Sequence, residues 1–188
     1  MNTTPKFQRM AVHQVGHAVV QALVGRDRFA VSRLALGVEA NASWPGRPAW
    51  GAAAVDRETR LSIYEFGLVT LAGIAAEERY LAAQPPEHEP LVALSDLAEW
   101  QQQAREVLLD AGKIRLVSLN VMRRLHLWFA EPAIWQVVEG LSAELLANGT
   151  LDATALRSLL AKLPTPRPAP LAGHQRHQKK GNPDDTSR

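Results

Sequence analysis

Two histidines, His13 and His17, stand four residues apart. On an α-helix that spacing places them about 40° apart on one face, so both imidazoles can reach one metal ion. Gln14 follows the first histidine. Gly16 lies just before the second, where a missing side chain would let another backbone approach. The flanking residues Met10-Ala11-Val12 and Ala18-Val19-Val20 are apolar, which predicts a mostly buried helix. Imidazoles facing inward on such a helix need a polar partner. A metal ion would serve, and so would hydrogen-bonding groups on neighbouring helices. The spacing alone is compatible with both.

A tetrahedral catalytic zinc takes three protein ligands and leaves a fourth position for water. The chain of 188 residues contains no cysteine, so thiolate sites, thiol nucleophiles and disulfides are excluded. No third histidine is well placed: His88 stands in a proline-bounded loop, His126 is isolated on a predicted helix, and His174 and His177 lie in a polar tail. Among the carboxylates Asp96 stands out, in Leu94-Ser95-Asp96-Leu97, at the start of a predicted helix after an apolar run. Aspartate in a first turn also complements the helix dipole, so its position alone does not assign it. Glu77 and Glu78 lie on an apolar helix. One of them could orient a ligand histidine, or form an ion pair with Arg79 at an exposed helix end.

These residues need elements to hold them. Pro5 to Val24 reads as a helix with apolar residues at helical spacing, stopped by Gly25. Phe29 to Val38 alternates as a strand, Asn41 to Pro48 is a turn cluster, and Ala49 to Val55 reads as a return strand, together a β-hairpin with a long tip. Asp56 to Leu81 reads as a long helix. Its run Phe66 to Ala76 is apolar all round, which predicts a central buried position. After the loop Gln84 to Pro90, a helix capped by Ser95 runs to about Leu109, with Gly112 as its breaker. Lys113 to Phe129 and Pro132 to Ala147 follow as helices, the second closed by Asn148-Gly149, and Asp152 caps a short last helix to Leu163. The expected fold is mainly α with a small β-hairpin or sheet.

Residues 1–164 read as one domain and residues 165–188 as a disordered basic tail. The net charge is +2; the tail carries five basic and two acidic residues, which leaves the domain at −1. A nearly neutral domain gives no footprint for nucleic acid. The N-terminus lacks a signal-peptide core, and the longest apolar stretch falls short of the roughly 20 residues of a membrane helix, so a cytoplasmic location is expected. The absence of Gly-x-x-x-x-Gly-Lys-Ser/Thr excludes the common phosphate-binding loop for ATP.

Four segments resemble, in order, the protease domain of membrane-bound AAA proteases of the FtsH type. Ala11-Val12-His13-Gln14-Val15-Gly16-His17-Ala18 is similar to the family's zinc helix, His-Glu-Ala-Gly-His-Ala. Leu71-Ala72-Gly73-Ile74-Ala75-Ala76-Glu77-Glu78 resembles Leu-Gly-Gly-Arg-Ala-Ala-Glu-Glu, and Ser95-Asp96-Leu97 resembles Ser-Asn-Asp-Leu. Leu145-Leu146-Ala147-Asn148-Gly149-Thr150-Leu151-Asp152 resembles Leu-Leu-x-x-x-Thr-Leu-Asp. The matches span about Pro5 to Leu163. The resemblance implies a zincin-like helical domain that binds Zn2+ through His13, His17 and Asp96, with Glu77 or Glu78 orienting a ligand. It also implies that Arg47 to Val55, with Trp50 and Gly51, is the edge strand that holds a peptide substrate or partner by β-augmentation. Family members with a motor are hexameric, which leaves a homo-oligomer open. The stretch between Gly112 and Ile134 does not match clearly.

The departure is at Gln14, where the family has its general-base glutamate. Glutamine can hydrogen-bond a water but cannot accept and return its proton. Loss of a positioned base costs about 10²–10⁴-fold. The leading expectation is a zinc-binding pseudoprotease that binds peptide or regulates. The alternatives are a working metalloendopeptidase with its base elsewhere, including on Glu77 or Glu78, and a metal-free helical interaction domain. A base-to-glutamine exchange is also the customary engineered change for trapping such an enzyme with substrate.

Overall fold

The computed structural model describes residues 5–25, 31, 33–36, 62–84 and 94–164. Among these described residues, six helices and two short strands follow in the order α1 (Pro5–Gly25), β1 (Arg33–Ala35), α2 (Ile63–Ala82), α3 (Leu94–Leu108), α4 (Ala111–Ala130), α5 (Pro132–Asn148), β2 (Thr150–Asp152) and α6 (Ala153–Leu160). The protein is mainly helical with a two-stranded antiparallel sheet.

The central position expected for the apolar run belongs to α2. It packs against α1, α3 and α4, and all of Phe66 to Ala76 except Ile74 is buried. Its start is fixed by a capping box. The Ser62 hydroxyl accepts from the Glu65 backbone N–H, and the Glu65 carboxylate accepts from the Ser62 N–H at 2.9 Å. Small residues set how close its neighbours come. A Cβ on Gly16 of α1 would stand 2.7 Å from Ala76 Cβ and 2.9 Å from the Ala72 carbonyl oxygen, so α1 and α2 meet backbone to backbone there. On another side, a Cβ on Gly67 would stand 2.7 Å from the ring of Trp100, a buried residue of α3 whose Nε1–H donates to Ser118 Oγ on α4 at 2.9 Å.

Two expectations change. The break between α3 and α4 falls at Leu109, whose φ is +55°, and not at Gly112, which is helical. Asp110 restarts the chain as N-cap, its carboxylate accepting from the Lys113 N–H at 2.7 Å, and this cap overrides the glycine. Ser95 is not a cap, because α3 already begins at Leu94. Among the described residues β1 pairs with β2, in the register Leu34↔Leu151, a pairing not read from the sequence. The expected hairpin with Ala49 to Val55 falls on residues that are not described, as do Trp50, Gly51 and the tail from Thr165.

The C-terminal signals hold as expected. Pro132 opens α5, and Gly149 closes it with a left-handed φ of +71° and its N–H on the Leu145 carbonyl. The Asp152 carboxylate accepts from the N–H groups of Thr154 and Ala155, capping α6. No described helix is long and apolar enough to cross a membrane.

Candidate metal centre

Three side chains from two helices converge beside α2. His13 and His17 project from α1, and Asp96 from the first turn of α3. The Asp96 Oδ2 atom lies 3.1 Å from His13 Nε2 and 2.9 Å from His17 Nε2. The two Nε2 atoms lie 3.2 Å apart. Among the described residues this is the one group of histidines and carboxylates arranged to hold a metal ion.

The far sides of both rings are engaged. His17 Nδ1 lies 2.8 Å from the Val69 carbonyl oxygen on α2. A carbonyl only accepts, so Nδ1 carries the proton and Nε2 of the neutral ring presents its lone pair. His13 Nδ1 faces Glu77 Oε2 at 3.4 Å, and the other oxygen of Glu77 receives Arg9 Nη2 at 2.8 Å and Nε at 3.2 Å. With both Nδ1 atoms turned away, two imidazole lone pairs and one carboxylate oxygen point into the same small space. Such a set repels itself unless a positive charge sits among it.

In the metal-free chain that charge is a proton. Burial works against a cationic His13, but hydrogen bonds and charge attraction from Asp96 and Glu77 outweigh it and push the pKa from 6.5 up to about 9. Burial would likewise raise the Asp96 carboxyl, yet its contacts with the two histidines, the cationic His13 above all, hold it well below the usual carboxylate range. A divalent cation would meet the same demand. Bonds of 2.0–2.1 Å in a tetrahedral site separate ligand atoms by roughly 3.3 Å, close to the three spacings seen here. The α2 side of the space is kept clear by Gly73, where a Cβ would stand 2.5 Å from Nε2 of both histidines. The donor set therefore fits zinc in number, type and spacing.

Gln14 occupies the next position on α1 and is half-buried. Glu77 and Glu78 separate cleanly: Glu77 is buried at the histidine, whereas Glu78 points outward and pairs with His126 at 2.8 Å, both about half exposed. Neither carboxylate pairs with Arg79 in the manner anticipated; the Arg79 guanidinium lies over the Trp135 ring, 4.5 Å from its centre. Arg9, Gly73 and the Val69 carbonyl were not anticipated as parts of the site. Arg9 left no distinctive signal: it is one of two cations, with Lys6, on the first turns of α1. Gly73 shows in sequence only as a glycine inside the Leu71–Glu78 segment. No family model and no curated protein matches this chain.

Proposed function

We propose that this chain is a zinc-binding domain of the FtsH-like metallopeptidase type, impaired in hydrolysis and acting as a peptide-binding or regulatory pseudoprotease. The observation that carries the reading is the convergence of His13 Nε2, His17 Nε2 and Asp96 Oδ2 at 2.9–3.2 Å with both Nδ1 atoms committed elsewhere. A bound zinc would polarise a peptide carbonyl and acidify a water. His13 and His17 would hold it as neutral imidazoles, with Asp96 contributing the one anionic ligand. Gln14 can orient a water by hydrogen bonding but cannot take its proton. The peptide-binding part of the reading rests on the resemblance of Arg47 to Val55 to a substrate-holding strand.

The geometry weighs against a working peptidase with a relocated base. Glu77 is engaged by Arg9 and His13, and Glu78 points away toward His126. Metal analysis of protein purified without added zinc comes first. A chain that carries no zinc and takes up none would leave only the metal-free interaction domain. Casein cleavage is then compared between the chain and Gln14→Glu. Little activity is expected from the former, and a gain of roughly 10²-fold or more from the latter. Strong chelator-sensitive cleavage by the unaltered chain would sink the pseudoprotease reading.

A further inference from the structure

Arg9 is 8% exposed and Glu77 3%, so this ion pair is buried. An arginine fork usually engages both oxygens of a carboxylate, one donor each. Here Nε at 3.2 Å and Nη2 at 2.8 Å both address Oε1. The second oxygen, Oε2, is left facing His13 Nδ1 at 3.4 Å. The path also begins and ends on α1: Arg9 and His13 are one turn apart, and Glu77 bridges them from α2.

We infer that Arg9 is a positioning residue of the metal centre. By clamping Oε1 it fixes the rotation of the Glu77 carboxylate and aims Oε2 at His13 Nδ1. At 3.4 Å the contact is electrostatic and not a hydrogen bond; the anionic oxygen favours the proton on Nδ1, which leaves Nε2 for His17 and Asp96. Metal-bound imidazoles depend on such a partner on their other nitrogen. The arginine supplies what a lysine cannot, because two donors in a rigid plane fix an orientation whereas an ammonium acts as a point charge. His17 needs no equivalent, since its Nδ1 is held by the Val69 carbonyl. The inference rests on the zinc reading above.

The test uses the full chain and Arg9→Lys, which keeps the charge and removes the fork. Zinc affinity is measured by competition with a chromophoric chelator, and ring nitrogen resonances of His13 and His17 are recorded with zinc bound. Arg9→Lys is expected to bind zinc about 10–100-fold more weakly, the range found when an outer partner of a metal ligand is removed. The His13 ring resonances should shift while those of His17 stay in place. A purely structural ion pair would lower the melting temperature and leave affinity and ring spectra alone. Parental affinity with an unchanged His13 ring overturns the inference while sparing the zinc reading. A parent chain that takes up no zinc ends both. Should Arg9→Lys fail to fold, the unaltered protein decides: the Arg9 Nε–H resonance moves on zinc addition if Arg9 is part of the centre, and an unmoved resonance refutes it.

Discussion

A methyl group on Gly73 would stand 2.5 Å from the Nε2 atoms of His13 and His17 and 2.6 Å from His13 Cε1. Helix propensity alone favours Gly73→Ala by about 1 kcal/mol. Because the added carbon would displace both ligand rings, the variant should keep its helical circular dichroism yet lose zinc affinity by something on the order of 100-fold, read by chelator competition. The contrast separates a site defect from a folding defect. The same atoms show what sequence could and could not reveal. His13 and His17 were legible because helical spacing brings them together by itself. Asp96 was not separable from a helix-dipole aspartate, since its role depends on how α3 lies against α1. Arg9 reads in sequence as one more solvated cation, and only the approach of α2 buries it against Glu77. A glycine such as Gly73 has no chemistry of its own to notice, because its role is defined by what crosses in front of it.

The pairing of α1 with α2 rests on the close approach at Gly16. An alanine there would place its Cβ 2.7 Å from Ala76 Cβ and 2.9 Å from the Ala72 carbonyl oxygen, and backbone cannot yield as a flexible side chain would. Gly16→Ala should destabilise the protein by about 1–3 kcal/mol despite its better helix propensity, as overpacking usually does, seen as a lower urea midpoint. The histidines would retreat from Val69 and Glu77 along with α1, so zinc affinity should fall too. Elements with a strong local pattern were readable: α2 from its apolar run, α5 from Pro132 and Gly149, α6 from the Asp152 cap. The α3–α4 break was misplaced because Leu109 carries no local mark of a left-handed residue, while Gly112 does carry a breaker's mark and is overruled by the Asp110 cap. The strand β2 was missed because three residues wedged between two helix signals show no alternation. Its identity as a strand comes from β1, not from itself.

At the level of the whole molecule, the centre ties stability to pH. His13 has a folded pKa of about 9 against an ordinary 6.5, so its contribution to the metal-free fold is full below about 6.5 and is lost as pH rises through 9. Asp96 is depressed, so its contribution is present above its ordinary 3.8 and is lost as pH falls toward its lowered value. Denaturant titrations of the metal-free chain should therefore show greatest stability from this cluster between roughly pH 4 and 6.5. Zinc reverses the alkaline limb, because it must displace the His13 proton. Its affinity should rise about tenfold per pH unit between 7 and 9, with close to one proton released per ion bound. A pH-independent zinc affinity across that range would mean that zinc displaces no proton from His13.

The β1–β2 clasp also sets an order of assembly. Leu34 finds its strand partner only when Leu151 exists, and Leu36 donates to a carbonyl at Gly149. Closing so long a loop carries an entropic penalty that earlier contacts must first offset. His13, His17, Glu77 and Asp96 are all present once the chain has been made as far as α3. A chain growing from its N-terminus thus holds every side chain of the metal centre well before it can fasten its own two ends of the sheet.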